Sequence, residues 1–239
     1  MALKEIEYGS KVYSLSYEIL NPSKKKTILF LHGWGSSKEI MKQAFGKCFG
    51  DFKHIYLDLP GFGNSSIEEI ITTQDYSSIV ELFLKSLHID ELSCIVGHSF
   101  GGKVATLLNP ANLTLLSSAG IVRKKSLKTK LKIILFKAFK GLLPKKFYKF
   151  FASDDVKEMS QTMYEILKLV VDEDFSKHFK NLTSKTVIFW GREDYITPLE
   201  SGRKIKELIK GSEFYELGGD HFFFIKNSKF IEKRLVTIL

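Results

Sequence analysis

The sequence is poor in cysteine and has no long apolar run. Its 239 residues include two cysteines, Cys48 and Cys94. Cys94 lies inside a predicted core strand, where disulfide pairing is unfavourable. Two cysteines without a disulfide framework predict a reducing, cytoplasmic location. No uninterrupted stretch of roughly eighteen apolar residues is present, and no transmembrane helix is predicted. The segment Met1–Glu5 lacks the apolar core and cleavage site of a secretory signal.

Motifs for common cofactors are also missing. No Cys/His cluster has metal-ligand spacing, and no glycine-rich dinucleotide-binding or phosphate-binding motif occurs. We therefore expect neither a metal nor an organic cofactor. The composition is otherwise typical of a globular protein, with 44% hydrophobic and 26% charged residues. A chain of this length suits one α/β domain that buries a core on both faces of a sheet.

Short apolar runs alternate with helical stretches along most of the chain. Residues Ile6–Leu20 alternate as an antiparallel hairpin does, and the later runs suit buried parallel strands. This order predicts an α/β fold with a mostly parallel, doubly wound sheet. The predicted parallel strands are Thr27–Leu31, Ile55–Leu59, Leu92–Val96, Leu113–Ser117, Thr186–Trp190 and Glu213–Leu217, and predicted helices include Lys38–Cys48, Thr73–Leu87 and Leu199–Ile209.

The most informative motif is Gly97-His98-Ser99-Phe100-Gly101, which lies between a predicted strand and the helical stretch Gly102–Leu108. A strand, a sharp turn and a helix with serine at the apex predict a nucleophile elbow. Glycines are required there because a side chain at either flanking position would crowd the strand and the helix. A tight turn that carries a serine without any catalytic role would also explain this five-residue pattern. The catalytic interpretation therefore depends on partner residues elsewhere in the chain.

Candidates for both partners occur later in the chain. A serine hydroxyl needs a base to take its proton, and the base needs an anionic group to hold it. Asp194 follows the predicted strand Thr186–Trp190, and His221 lies in a glycine-rich loop after Glu213–Leu217. Taken alone, Asp194 also fits an aspartate in a solvated turn, and His221 also fits a loop histidine without a partner. The order Ser99, Asp194, His221, each after a predicted strand, predicts a catalytic triad.

Taken together, these segments resemble the α/β-hydrolase fold superfamily, in particular its small, lipase/esterase-like serine hydrolases with a helical cap. Besides the elbow, the resemblance rests on His32–Gly35, the Asp58–Ser65 loop and the acid and base segments Gly191–Asp194 and Gly219–His221. It covers nearly the whole chain. The motifs are specific for the fold and much less specific for the substrate.

An oxyanion hole is expected beside the predicted nucleophile. Phe100 offers a backbone N–H at a helix N-terminus, where an anion is favoured. By resemblance, the second N–H comes from Trp34, for which the alternative is a surface aromatic that covers the core. His32 and His98 are expected to orient loops by hydrogen bonds. No role is assigned to the remaining three histidines, His54, His88 and His178.

Residues 121–182 contain helical segments and no convincing strand. The resemblance implies a cap inserted there, so we expect a core of residues 1–120 and 183–239 and a helical cap of residues 121–182. Between Arg123 and Lys149 there are eleven Lys or Arg residues and no acidic residue. Such a basic, amphipathic stretch suits an anionic membrane surface or an acidic partner such as an acyl carrier protein. The alternative is a packed cap whose lysines are merely solvated, and nucleic acid is not expected.

The sequence thus predicts a serine hydrolase that cleaves a carboxylic ester or thioester through an acyl-enzyme, with an apolar acyl or aromatic group in the substrate. Serine at the elbow argues against the dehalogenases and epoxide hydrolases of this fold, which use aspartate. Three alternatives remain: a carrier-protein methyl ester esterase that docks an acidic partner on the basic cap, a carbon–carbon bond hydrolase, and a non-catalytic binding module. Substrate identity and oligomeric state are left open.

Overall fold

The computed structural model describes residues 1–89, 92–122 and 159–239. The strands in these ranges are β1 (Ala2–Tyr8), β2 (Lys11–Leu20), β3 (Thr27–Leu31), β4 (Lys53–Leu57), β5 (Cys94–His98), β6 (Asn112–Leu116), β7 (Lys185–Gly191) and β8 (Glu213–Leu217). The helices are α1 (Lys38–Phe45), α2 (Thr73–Ser86), α3 (Phe100–Leu108), α4 (Gln161–Val170), α5 (Ser176–Lys180), α6 (Leu199–Leu208) and α7 (Phe224–Val236).

The described strands form one sheet in the order β1-β2-β4-β3-β5-β6-β7-β8. β1 pairs with β2, and β2 with β4, in antiparallel fashion. All remaining pairs are parallel. The prediction of a mostly parallel, doubly wound α/β sheet is therefore confirmed, and so is the N-terminal hairpin.

Both faces of the sheet are buried, which explains the continuous apolar runs. Successive side chains in a strand point to opposite faces. In β3, Leu29 and Leu31 accordingly join the core beneath α2, α3 and α6, whereas Ile28 and Phe30 join the core beneath α1 and α7. Each short strand thus contributes to two hydrophobic clusters. This double burial fixes the sheet as a rigid frame for the loops at its ends.

Element boundaries differ from the predictions. The predicted strand Leu92–Val96 lies two residues too early, because Gly97 and His98 continue the parallel pairing with Leu115 and Leu116 of β6. The helix after the elbow begins at Phe100. Shifts of one to three residues also occur at the ends of the predicted segments Ile55–Leu59, Leu113–Ser117, Thr186–Trp190, Lys38–Cys48, Thr73–Leu87 and Leu199–Ile209.

The predicted cap is described only at its two ends. Ile121 and Val122 lie at one end, and α4 and α5 lie within residues 159–182 at the other, with no strand in either described part. The basic stretch Arg123–Lys149 lies outside the described residues. The division into core and cap therefore stays a prediction.

The chain leaves the core and returns to it at one place. The backbone N–H of Phe175 donates to the carbonyl of Gly120 over 2.8 Å. Nearby, the buried Lys103 of α3 donates to the Val170 carbonyl at 2.7 Å and pairs with Glu173 at 2.5 Å. These contacts fix the end of α4 and the residues after it onto the helix that follows the elbow.

Both cysteines are buried as free thiols, and Cys94 lies in β5, as predicted. Within the described ranges, no helix combines the length and the apolar character needed to cross a bilayer.

A buried ion pair joins α1 to the loop after β4. Lys38 is 1% exposed and Asp58 is fully buried. The Lys38 ammonium lies 2.7 Å from Asp58 Oδ2 and also donates to Ser16 Oγ at 3.0 Å. The Asp58 carboxylate further accepts the backbone N–H groups of Lys38 at 2.7 Å and Asn64 at 3.1 Å. Complete hydrogen bonding is what makes two buried charges tolerable.

We predict that Asp58→Asn destabilises the protein strongly, because it removes the buried counter-charge of the Lys38 ammonium and leaves it only the exposed Glu39 carboxylate, 3.8 Å away. The expected loss in the free energy of unfolding is about 3–5 kcal/mol, measured by urea denaturation. Asp51→Asn is the matched control, since Asp51 pairs with Lys24 at 3.2 Å and its side chain is 94% exposed. That control is expected to cost less than about 1 kcal/mol. Equal losses in both variants would contradict the prediction.

Candidate active site

The predicted site residues gather at one edge of the sheet. Ser99 follows β5, Asp194 follows β7 and His221 follows β8. Trp34 lies in the loop after β3, which is the neighbour of β5. Parallel strands end at the same edge, and this edge is where α/β sheets place their sites. The topology therefore brings the four residues to a common side of the molecule.

The elbow leaves no room for side chains beside Ser99. A Cβ atom on Gly97 would lie 2.6 Å from the Gly101 carbonyl oxygen, and one on Gly101 would lie 2.4 Å from the His32 carbonyl oxygen. Ser99 itself has φ 51° and ψ −114°, a conformation that costs a non-glycine residue energy. Its backbone N–H donates to the Leu116 carbonyl at 3.0 Å, which holds the turn against β6. The Ser99 side chain makes no capping bond to α3.

Asp194 and His221 form a buried hydrogen-bonded pair. His221 Nδ1 lies 2.8 Å from Asp194 Oδ2. The carboxylate also accepts the backbone N–H groups of Ile196 and Thr197 at 2.9 Å each, and the Thr197 hydroxyl at 2.9 Å. Burial raises the pKa of Asp194, but these hydrogen bonds outweigh it and the pKa lies below its ordinary value. An ionised Asp194 requires the proton on Nδ1, which leaves Nε2 free to accept one.

Direct backbone contacts fix the acid loop to the base loop. Glu193 N–H donates to the Gly219 carbonyl at 3.1 Å, and Gly219 N–H donates to the Glu193 carboxylate at 2.5 Å. Arg192 N–H donates to the Leu217 carbonyl at 2.9 Å. The loop of the acid and the loop of the base are therefore joined at several points.

Thr197 is a site residue that the sequence analysis missed. Its hydroxyl lies 3.3 Å from His221 Nδ1 and 3.1 Å from the Ser117 carbonyl, besides its bond to Asp194. The available signal was local. An aspartate that accepts the N–H groups two and three residues later forms a tight turn, and Asp194 stands at that spacing before Ile196 and Thr197.

Ser99 is linked to the acid–base pair through its neighbour His98. Among the described residues, no hydrogen bond joins the Ser99 hydroxyl to the His221 imidazole. His98 Nε2, however, lies 3.0 Å from the His221 carbonyl oxygen, and the two imidazole rings are 4.6 Å apart. Catalytic hydrogen bonds are often long without substrate and shorten when it binds.

The loop that carries Trp34 packs directly on the elbow. A Cβ atom on Gly33 would lie 3.0 Å from Ser99 Cβ, so the loop backbone approaches the serine closely. The Trp34 ring packs edge-to-face on Phe62 at 4.9 Å and on Phe100 at 5.4 Å. The side chain thus covers the core, as the alternative interpretation proposed. Its backbone N–H stays the predicted oxyanion donor, together with the N–H of Phe100 at the start of α3.

His32 makes the loop-orienting hydrogen bonds expected of it. Leu59 N–H donates to His32 Nε2 at 3.0 Å, so the ring proton is on Nδ1, which donates to the Gly33 carbonyl at 2.7 Å. Burial lowers the pKa of His32 to about 4. His32 therefore stays neutral and joins the loop after β3 to the loop after β4.

Apolar surface surrounds these polar groups. Tyr195 is 88% exposed, Ile196 is 67% exposed and Phe222 is 38% exposed, and each is adjacent in sequence or near to a member of the acid–base pair. A cleft of about 400 Å³ opens beside the loop after β3. Its lining includes Gly35, Phe62, Ile67, Met159 and Met163.

Known proteins share the sequence pattern and the fold. The chain is 25% identical over 248 residues to the uncharacterized hydrolase YugF of Bacillus subtilis, a match that covers 88% of this chain and 87% of that protein. An esterase from Exiguobacterium antarcticum superposes with a TM-score of 0.75 at 19% identity, covering 98% of this chain and 97% of that chain. A thermophilic esterase from Thermogutta terrifontis, solved with malate bound, has a TM-score of 0.72 at 16% identity and covers 99% and 97%.

A family model gives the assignment directly. The model of the alpha/beta hydrolase family matches residues 28–233, a span that runs from β3 into α7 and includes every predicted site residue. The sheet order and the elbow geometry agree with this match. The chain therefore belongs to the alpha/beta hydrolase family.

Proposed function

We propose that this protein is a serine hydrolase that cleaves a carboxylic ester or thioester bearing an apolar acyl or aromatic group. The observation that carries the proposal is the 2.8 Å hydrogen bond between Asp194 and His221, next to the strained turn at Ser99. Ser99 is the nucleophile, His221 the base and Asp194 the anionic group that holds the base. This division of labour is the one that a hydroxyl nucleophile needs.

Acylation begins when the Ser99 hydroxyl attacks the substrate carbonyl and His221 Nε2 takes its proton. The negative charge that develops on the carbonyl oxygen is stabilised by the backbone N–H groups of Phe100 and Trp34. The charge on the imidazolium is offset by Asp194, which is ionised at neutral pH because its pKa is lowered. The tetrahedral intermediate then collapses. The alcohol or thiol leaves with the proton from His221, and Ser99 is acylated.

Deacylation uses the same groups in reverse. His221 takes a proton from water, and the resulting nucleophile attacks the acyl-enzyme carbonyl. The same two N–H groups receive the oxyanion, and the proton returns to the Ser99 oxygen as the acid leaves. The cycle therefore ends with Ser99 and His221 in their starting protonation states.

Apolar surface near the site supports an apolar substrate. Tyr195, Ile196 and Phe222 are exposed beside the acid–base pair. The cleft beside the loop after β3 adds apolar side chains such as Ile67 and Met163, next to the hydroxyl groups of several serines. Burying such surfaces against a hydrocarbon group would favour binding by about 25 cal/mol per Å². Short polar esters would gain little from them.

A carrier-bound ester is the second candidate substrate, and the charge distribution favours it. The whole chain has a net charge of +9, while the stretch from Arg123 to Lys149 alone holds eleven Lys or Arg residues. Outside this stretch, acidic residues slightly outnumber basic ones. A positive charge concentrated in one segment suits an acidic protein that delivers the acyl group, and it would accelerate their encounter.

We place the protein in the cytoplasm. The support is its two free, buried thiols, Cys48 and Cys94, which suit a reducing compartment. An acidic carrier protein of the same compartment would be accessible to it.

Replacement of the nucleophile tests the proposed function. We expect Ser99→Ala to lower kcat on p-nitrophenyl esters by at least about 10³-fold and to abolish labelling by a fluorophosphonate probe. Ser86→Ala, at the end of α2 and remote from the predicted site, is the control and should retain both properties. Absence of labelling in correctly folded wild-type protein would refute the proposal.

A series of acyl chain lengths tests the apolar preference. We expect Tyr195→Ser to lower the ratio of kcat/KM on a decanoate ester to that on an acetate ester by roughly fivefold, since about 1 kcal/mol of apolar contact is lost. Val12→Ser is the matched control, because Val12 is a half-exposed apolar residue of β2. An unchanged ratio in Tyr195→Ser would show that the Tyr195 side chain does not contact the acyl group.

Charge reversal tests the carrier-bound substrate. We expect the triple change Lys132→Glu, Lys137→Glu and Lys140→Glu to reduce hydrolysis of an ester on an acyl carrier protein by about tenfold or more relative to a free ester. The same triple change at the exposed Lys185, Lys210 and Lys226 controls for net charge. Equal effects of the two triple variants would argue for unspecific attraction and against a docking segment.

A further inference from the structure

We propose that His98 is a positioning residue, which holds the His221 backbone against the end of β5 and so sets the base in register with the Ser99 hydroxyl. The inference rests on the proposed function, because it assigns a role around the same serine and histidine. It concerns a residue that has no place in the proton transfers themselves. His98 acts through its hydrogen bond to the His221 backbone.

The connection is short in space and long in sequence. His98 is the last residue of β5 and precedes Ser99 directly. Its Nε2 lies 3.0 Å from the carbonyl oxygen of His221, 123 positions later in the chain. A carbonyl oxygen can only accept, so Nε2 carries the proton and donates it. The strand that presents the nucleophile is therefore bonded to the backbone of the base.

The surroundings hold the His98 ring in one orientation and one charge state. The ring is 1% exposed and packs against the rings of His221, Phe222 and Phe224, at 4.6, 5.4 and 4.7 Å. Its Nδ1 is buried and has no hydrogen-bond partner among the described residues. A second proton there would have no acceptor. Burial, and secondarily the nearby His221, lower the pKa of His98 well below its ordinary value.

Other titratable groups near the ring do not change this conclusion. Asp194 and a backbone hydrogen bond favour the charged form of His98, whereas His32 and His221 disfavour it, and burial is the largest effect. His98 is thus neutral over the pH range in which His221 works as a base. The base loop therefore faces one hydrogen-bond donor in a fixed position, His98 Nε2, and no positive charge on the His98 ring.

The loop after β3 closes the arrangement from the other side. A Cβ atom on Gly33 would lie 2.9 Å from His98 Nδ1. The elbow, the base loop and the oxyanion loop therefore all meet at this one imidazole. Without its hydrogen bond, the base loop can shift relative to the elbow. A misplacement of about 1 Å costs up to roughly 100-fold in rate.

Two amide replacements separate the hydrogen bond from the space that the ring fills. Glutamine places an N–H near the position of the histidine Nε2, whereas the shorter asparagine does not reach it. In the full-length protein, we expect His98→Asn to lower kcat by roughly 10- to 100-fold, with KM changed less than about threefold. His98→Gln should recover kcat to within about fivefold of the wild type. If His98→Asn does not fold, His98→Met is used in its place, because methionine fills the space of the ring without offering a donor. Its expected kcat is as low as that of His98→Asn.

The pH profile supplies a readout that a purely structural role would not move. A displaced base loop weakens the support that Asp194 gives to protonated His221. The acid limb of kcat/KM should then shift to lower pH by about half a unit in His98→Asn and stay in place in His98→Gln. The wild-type limb should fit one ionisation, since His98 does not titrate there.

His54 offers the matched control for the loss of a buried histidine. It is fully buried, bonded to Tyr56 Oη at 2.9 Å and to the Phe49 carbonyl at 3.0 Å, and lies outside the predicted site. His54→Asn should lower the melting temperature and leave kcat unchanged. Equal kcat in His98→Asn and His98→Gln would overturn the inference. An inert wild type, without fluorophosphonate labelling, would instead refute the proposed function.

Discussion

The backbone of the β5–α3 turn approaches the end of β3 so closely that no Cβ atom fits between them. Gly101 lies against the carbonyls of Leu31 and His32, and Gly97 lies against Gly101. This steric constraint forces Ser99 into its strained conformation and exposes the first turn of α3 to the loop after β3. The loops that carry Trp34, Asp194 and His221 are arranged around this close contact. Pre-organisation of the site thus begins in the main chain, before any polar side chain is considered.

The buried polar groups around the turn each have a defined charge. Asp58 and Asp194 are held by several N–H donors, and His32 is neutral with both ring nitrogens engaged. Lys103, whose pKa is lowered by burial, is bonded to Glu173 and contacts the Phe175 ring. Because unpaired buried charges are costly, these networks resist rearrangement. The loops can therefore be irregular and still be well positioned.

Much of this arrangement was accessible from the sequence. Ser99, Asp194 and His221 each follow an apolar strand, and the carboxyl ends of parallel strands meet at one edge, so their proximity followed from the order of elements. The contact of His98 with His221 did not, because residues 123 positions apart share no local periodicity. Strand ends were also missed. Whether Gly97 and His98 remain in the ladder depends on pairing with β6, which no local pattern of β5 encodes.

The hydrogen bond between Phe175 and Gly120 has a bearing on how this protein can diverge. It joins the two described segments that flank residues 123–158, so the intervening chain begins and ends at neighbouring points. The entropy needed to close a loop rises only as the logarithm of its length, by about 0.6 kcal/mol per doubling. Insertions or deletions between residues 122 and 159 would therefore cost little free energy, whereas α4 packs in the core through Met163, Ile166 and Val170. The length of that segment can therefore change while the loops that carry Ser99, Asp194 and His221 keep their positions.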